Sequence, residues 1–453
     1  MNYSMKRLGM ATLMAASFCA VAPAAMAQPN IQRLDSFMNH VAAHNKMMGA
    51  VAISKGDKVV FNKAVGQERI VAGKNTPATT HTRYRIGSIT KMFTAAMVFQ
   101  MVEEGKFTLD TRLAGFFPAV PNADKISIGQ LLNHHSGLHN LTDDPAYTDW
   151  NTKAVPRDEM LKKLAALAID FEPGAKGEYS NSNYILLGFI LEKASGKPYA
   201  DLLKARITGK IGLKATSFGG QPDPKKHDAM SYSYNGKQWT EREVTDMSIP
   251  QAAGAIVSTP ADLVKFENAL FQGKLVSKTS LAQMMELKDD YGMGLFRFPW
   301  GNDRWAWGHT GGIDGFSSML SYFNDDSVCI ALCSNGVNYS VNEIMIGLLS
   351  IYYDMPYRFP SFISFEMSAQ ELKRYEGVYS SAGFPLKITV KEEHGALSAQ
   401  ATGQSAFPLE AVSREEFRFD AAGVRITFAV DGGGSATGLT LKQGGQEFVF
   451  TKE

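Results

Sequence analysis

From Met92 to Val102 the chain reads Met-Phe-Thr-Ala-Ala-Met-Val-Phe-Gln-Met-Val, with no charge on any face. A helix that is apolar on every side is buried in a core. Shorter patterns surround it. Ile31–His44 reads as an amphipathic helix, and Gly49–Ser54 with Lys58–Asn62 as a hairpin turning at Lys55-Gly56-Asp57. Between about 106 and 250 the chain is mainly helical and loop-rich. Strand patterns return at Trp305–Trp307, Phe316–Phe323 and Ser327–Cys333, the last two joined as a hairpin by Asn324-Asp325-Asp326, and a helix Val341–Tyr353 comes next. This order predicts an α/β (α+β) fold, with an antiparallel sheet flanked by helices and interrupted by a helical insertion subdomain at about 106–250.

Pro356 and Pro360 punctuate a linker over 356–368, after which the period changes. Residues 369–453 carry short alternating runs separated by turn residues such as Gly432-Gly433-Gly434, which predicts a small C-terminal all-β, barrel-like domain. At the other end, Lys6-Arg7, the apolar run Leu8–Val21 and Ala25-Met26-Ala27 read as an export signal over 1–27, cleaved after Ala27. A periplasmic or secreted protein is therefore expected, its main domain spanning 28–355. The apolar run is too short to span a bilayer comfortably, so no stable membrane span is expected in the mature chain. Phe18 before Cys19 argues against lipidation, which wants a small residue there.

The chain has 453 residues, 45% hydrophobic and 20% charged, enough for a large core. Its formal charge is +1, and loss of Lys6 and Arg7 would leave it close to neutral, so nothing points to a nucleic-acid partner. Cys329 and Cys333 share one face of a predicted strand about 13 Å apart at ~3.3 Å per residue. That exceeds what a disulfide spans.

Chemistry enters at Gly87-Ser88-Ile89-Thr90-Lys91, just before the uncharged helix. Ser88 and Lys91 are one helical turn apart, so their side chains share a face. The pair is the only Ser-x-x-Lys in the chain. Burial favours a neutral amine at Lys91, and a neutral amine can take the proton of a serine that is otherwise a poor nucleophile. Tyr179-Ser180-Asn181 stands at the entrance of an apolar helix Tyr184–Leu191, where a phenol and an amide can reach one cavity. Tyr322-Phe323-Asn324 has the same spacing but runs into a hairpin turn, where Asn is expected. His309-Thr310-Gly311-Gly312 lies between two predicted strands and offers a ring nitrogen and a hydroxyl beside glycines that permit close approach. His135-Ser136-Gly137 is a second copy, read as the end of a helix Ile128–His134 with Gly137 as its cap. His134, His135 and His139 near Asp143 and Asp144 resemble a metal cluster, but the helix end explains the first two.

With Ser-x-x-Lys, Tyr-Ser-Asn and His-Thr-Gly in this order, the chain resembles the serine hydrolases that group class C β-lactamases, penicillin-binding DD-carboxypeptidases, D-aminopeptidases and related esterases. Leu131–Leu138, Ala253–Thr259 and Gly308–Gly312 look like segments of the same family, and the resemblance covers about residues 30–355. It implies Ser88 as the acylated nucleophile and Lys91 as its proton acceptor. Tyr179 would act as the acid and base that serves the leaving group, leaving open which of Lys91 and Tyr179 takes the serine proton. The resemblance places Asn181, His309 and Thr310 at the substrate, and the backbone N–H groups of Ser88 and Gly312 in an oxyanion hole. No cofactor and no metal is implied. The expected substrates are a small peptide, an ester or a β-lactam, with a DD-carboxypeptidase or D-aminopeptidase activity first and an esterase or weak β-lactamase second. A penicillin-binding or scaffold protein without turnover is the reading of another class. The C-terminal domain looks like the lipocalin-like appendages of some relatives.

His309 stands where class C β-lactamases carry Lys. An imidazole that titrates near its ordinary value of about 6.5 would bind a substrate carboxylate better as pH falls through that range. Gly312 lacks the hydroxyl that some DD-carboxypeptidases use just after this motif.

Overall fold

The computed structural model describes residues 29–453 other than 72–73, 302–303, 363–364, 394, 405 and 444–445. The export-signal reading of 1–27 lies outside the described residues. A six-stranded antiparallel sheet runs in the spatial order Phe296–Trp300, Arg304–Ile313, Phe316–Phe323, Val328–Val337, Met47–Lys55, Lys58–Val65. Its centre joins sequence ends, because Ile53 pairs with Ile330. Everything between the N-terminal hairpin and Phe296 thus links the two edge strands of the sheet, Lys58–Val65 and Phe296–Trp300. Val328–Val337 is buried along almost its whole length, as the apolar run Val328–Cys333 requires of a strand covered on both faces.

On one face, helices Ile31–Ala43 and Val341–Tyr352 pack Leu34, Phe37 and Leu348 against Val51, Ile53 and Ile330. On the other, Thr90–Glu103 and Pro260–Phe271 meet Ala50, Ala52 and Ala331. Every residue from Thr90 to Met101 is buried, as the uncharged pattern demands. Cys329 and Cys333 are free and buried. The insertion is mainly helical, and it also carries a small hairpin, Tyr232–Tyr234 with Trp239–Glu241.

Two local expectations change. The helix begun at Ile128 ends at Leu132, so the left-handed residue next to its end is His134, with φ +62°, and Gly137 with φ +73° turns the chain further on. Gly137 also permits a close approach: a Cβ there would lie 1.9 Å from the Phe171 carbonyl oxygen. His309–Gly312 lies inside the strand Arg304–Ile313, not between strands. Its outer neighbour Phe296–Trp300 pairs only as far as Gly308, so from His309 onward the strand is a free edge on that side.

Eight antiparallel strands from Gly377–Ser381 to Gln446–Lys452 pair in chain order, and the last returns to the first, closing a barrel. Tyr379, Ile388, Phe417, Ile426 and Phe428 fill it. The barrel is fastened to the main domain by buried charge. Lys46 reaches Glu410 at 2.8 Å and Asp420 at 3.3 Å, and Arg418 meets the same two carboxylates at 3.2 Å. Among the described residues no helix is long and apolar enough to cross a membrane.

Candidate active site

Ser88 sits in a 3-10 turn, Gly87–Ile89, that leads directly into Thr90–Glu103. The turn is held from behind, because Tyr84–Arg85 pairs with Ile256–Ser258 and the Ile86 N–H donates to the Ile256 carbonyl. Gly87 has φ +50°, and a Cβ on it would lie 2.8 Å from the Gly312 nitrogen. Only glycine lets the Ser88 turn come this close to the free strand edge.

Lys91 is completely buried and its Nζ has three oxygen neighbours: Ser88 Oγ at 2.9 Å, Asn181 Oδ1 at 2.7 Å and the Ala253 carbonyl at 2.9 Å. Burial, with no carboxylate beside it, drives the Lys91 pKa well below the ordinary lysine range. A neutral amine has two N–H donors and one lone pair. Asn181 and Ala253 offer only acceptors to those donors, which leaves the lone pair for the Ser88 hydroxyl proton. Tyr179 donates its O–H to Ser88 Oγ at 2.8 Å. Burial raises the Tyr179 pKa well above its usual value, so the phenol is protonated at neutral pH.

Asn181 opens the helix Asn181–Ser195, its oxygen taken by Lys91 and its Nδ2 donating to Thr142 Oγ1 at 3.1 Å. Thr310 is exposed on the free strand. His309 is 2% exposed, its Nδ1–H donating to the Thr310 carbonyl and its ring meeting Phe296 edge-on at 4.7 Å. Burial, and then the nearby Lys91, pull its pKa down to about 3. The expected titration of His309 near pH 6.5 is therefore corrected, because burial penalises the charged form of the ring. Tyr322 lies apart, stacked on Phe271 at 4.3 Å.

The three clustered histidines go separate ways. His135 pairs with Asp289, His139 with Asp170, and His134 turns beneath Tyr179. Among the described residues no group of three or more His, Cys, Asp or Glu side chains is arranged to hold a metal. A cavity of about 640 Å³ opens from Ser88 and Asn181 to a wall formed by Tyr147, Arg242, Thr245 and Asp314. Sequence reasoning missed this wall. It is built by Arg85, whose guanidinium bonds Asp314 and the Thr245 carbonyl, a tertiary arrangement with no local signature.

Comparison with known proteins gives the family. Residues 34–345 match the β-lactamase family, and the chain belongs to it. Residues 365–452 match a domain family of unknown function (DUF3471). The chain is 26% identical to penicillin-binding protein 4* of Bacillus subtilis over 461 aligned residues, covering 93% of this chain and 98% of that protein. It is also 26% identical to the teichoic acid D-alanine hydrolase of Staphylococcus aureus, over 72% of this chain and 78% of that one. Among solved structures, the D-amino acid amidase of Ochrobactrum anthropi SV3 superposes with a TM-score of 0.63 at 27% identity, covering 71% of this chain and 98% of the amidase. The protein is a hydrolase of the β-lactamase and penicillin-binding protein family.

Proposed function

We propose that the protein is an exported serine hydrolase that works through an acyl-enzyme on Ser88, acting as a peptidase or amidase on small D-amino-acid substrates. The observation that carries the reading is the Lys91 nitrogen, whose two donors are occupied and whose lone pair is left to Ser88.

In acylation, Ser88 Oγ attacks the substrate carbonyl as its proton passes to Lys91. The oxyanion develops between the backbone N–H groups of Ser88 and Gly312, each such donor being worth ~2.7–4 kcal/mol. Tyr179 then gives its proton to the leaving nitrogen, which leaves a phenolate beside the Lys91 ammonium. In deacylation, water attacks the ester and yields a proton to Tyr179, while Lys91 returns its proton to Ser88 Oγ. All protons are back where they began. Asn181 and Thr310 line the path of the acyl group, and neutral His309 offers polarity without charge.

The amidase and D-alanine hydrolase names among the relatives support D-amino-acid chemistry. The neutral His309 argues against a site built around a β-lactam carboxylate. An ester substrate is the second reading, since the same acylation serves it and one relative is named for removing D-alanine from teichoic acid. Intact-mass analysis after a fluorophosphonate probe tests the first step: one adduct should form and vanish in Ser88→Ala, and persistence there would refute it. A D-aminoacyl anilide, a D-Ala-D-Ala peptide, a D-alanyl ester and nitrocefin then separate the activities, with the anilide turning over faster than nitrocefin. Rapid nitrocefin hydrolysis with an inert anilide would overturn the substrate class.

A further inference from the structure

His134 is 3% exposed and has no part in the proton transfers above. Its left-handed backbone, φ +62°, carries the ring back under Tyr179, where the two rings stack with centroids 4.5 Å apart and planes at 29°. Tyr184 and Tyr291 complete the enclosure at 5.3 and 5.4 Å. The Nδ1 atom accepts the backbone N–H of Ser180, the residue after Tyr179, at 3.1 Å. Asn183 Nδ2 stands 3.3 Å from the same nitrogen.

From this arrangement we infer that His134 is a positioning residue for Tyr179, and that the role needs both its ring and its Nδ1 acceptor. The stack sets the plane of the phenol, and the hydrogen bond to Ser180 fixes the backbone from which the phenol projects. Tyr179 is thereby held on two sides with its O–H directed at Ser88 Oγ, 2.8 Å away. A proton donor misplaced by about 1 Å can lose some 10²-fold in rate, so such a clamp has kinetic value. An aromatic hydrocarbon would stack but leave the Ser180 N–H without an acceptor. A cationic ring would lose the Nδ1 acceptor and draw negative charge onto Tyr179 in competition with Lys91. Neither fault occurs in the structure: burial, the largest cause, holds the His134 pKa well below the histidine range. The neighbouring phenols Tyr179, Tyr184 and Tyr291 bring no charge while protonated.

The inference rests on the proposed role of Tyr179 and is tested by a double-mutant cycle on an activated acyl ester. His134→Phe keeps a ring and removes the acceptor; it should cut kcat about 10-fold with KM changed less than about twofold. His134→Asn keeps an acceptor at the δ position and tolerates a left-handed backbone but lacks the ring, so it should recover only part of that loss. In a Tyr179→Phe background, His134→Phe should cost less than about twofold, because the group it positions is gone. An equal loss in both backgrounds would mean a structural role only and would overturn the inference. Nitrogen NMR of the wild-type protein gives a check that needs no variant to fold: the His134 Nδ1 should stay unprotonated from pH 8 to pH 5.5, and a protonated Nδ1 would refute the clamp. Fluorophosphonate labelling of Ser88 in the wild type separates the two failures. No labelling would refute the serine mechanism and with it the kinetic role of His134. Labelling with an unchanged kcat in His134→Phe would keep the mechanism and refute the positioning role alone.

Discussion

Asn181 Oδ1 accepts a hydrogen bond from Lys91 Nζ at 2.7 Å, and that uncharged oxygen is what allows a buried amine to stay neutral. Asn181→Asp would replace it with a carboxylate of nearly the same shape. An opposite charge at this distance favours the ammonium form and raises the Lys91 pKa. The base is active when deprotonated, so the acidic limb of the kcat/KM profile should move to higher pH, with a loss of about 10-fold or more at pH 7. A limb that stays in place would show that Lys91 is not the group titrating there.

Gly87→Ala should disable the oxyanion site without removing any side chain that takes part in chemistry. The added Cβ would stand 2.8 Å from the Gly312 nitrogen, at a backbone angle of +50° that L side chains resist. Separation of the Ser88 turn from the strand should cost about 10²–10³ in kcat, the usual penalty for losing one oxyanion donor. Measured kcat within a factor of a few of wild type would remove Gly312 from the mechanism.

The buried ring of His309, with its pKa near 3, should be silent across the working pH range. A matched pair of substrates, one with a free carboxylate and one amidated, should keep the same ratio of kcat/KM at pH 6 and pH 8. Preference for the carboxylated member that grows at pH 6 would mean that the ring opens to solvent and takes a proton when substrate binds.

Lys46 is 3% exposed and binds Glu410 and Asp420 of the barrel. Lys46→Ala should cost about 3 kcal/mol, since it leaves carboxylates buried with one cation fewer. Asp420 keeps Arg418 and Arg425, so both domains should stay folded. Chemical denaturation checks this. Stability unchanged within error would mean that the barrel is held by its apolar contacts alone.

What could be read from the chain was local, and what could not was tertiary. Ser88 and Lys91 declare themselves because one helical turn separates them and the residues beyond are uncharged. Tyr179 could be told from Tyr322 by its neighbours, because the first leads into a helix and the second into a turn. His134 gave no such signal. It sat in a segment that could be dismissed as a helix end, and its place under Tyr179 depends on a backbone angle more usual for glycine. The neutrality of His309 was hidden for a related reason, since its cause is burial between Phe296 and Tyr179 across separate elements. The Lys46 contact with Asp420 joins residues 374 positions apart and has no pattern that a sequence could display.

The two thiols of the central strand bear on how the protein tolerates its surroundings. Cys329 and Cys333 are enclosed, and burial raises both pKa values, so neither offers the thiolate that oxidants and disulfide exchange require. No cross-link is needed for the sheet to form, and none can be made by these two without first opening it. The fold is therefore indifferent to redox potential: reductant should leave its melting temperature unchanged, and material refolded in air or under thiol should be the same enzyme.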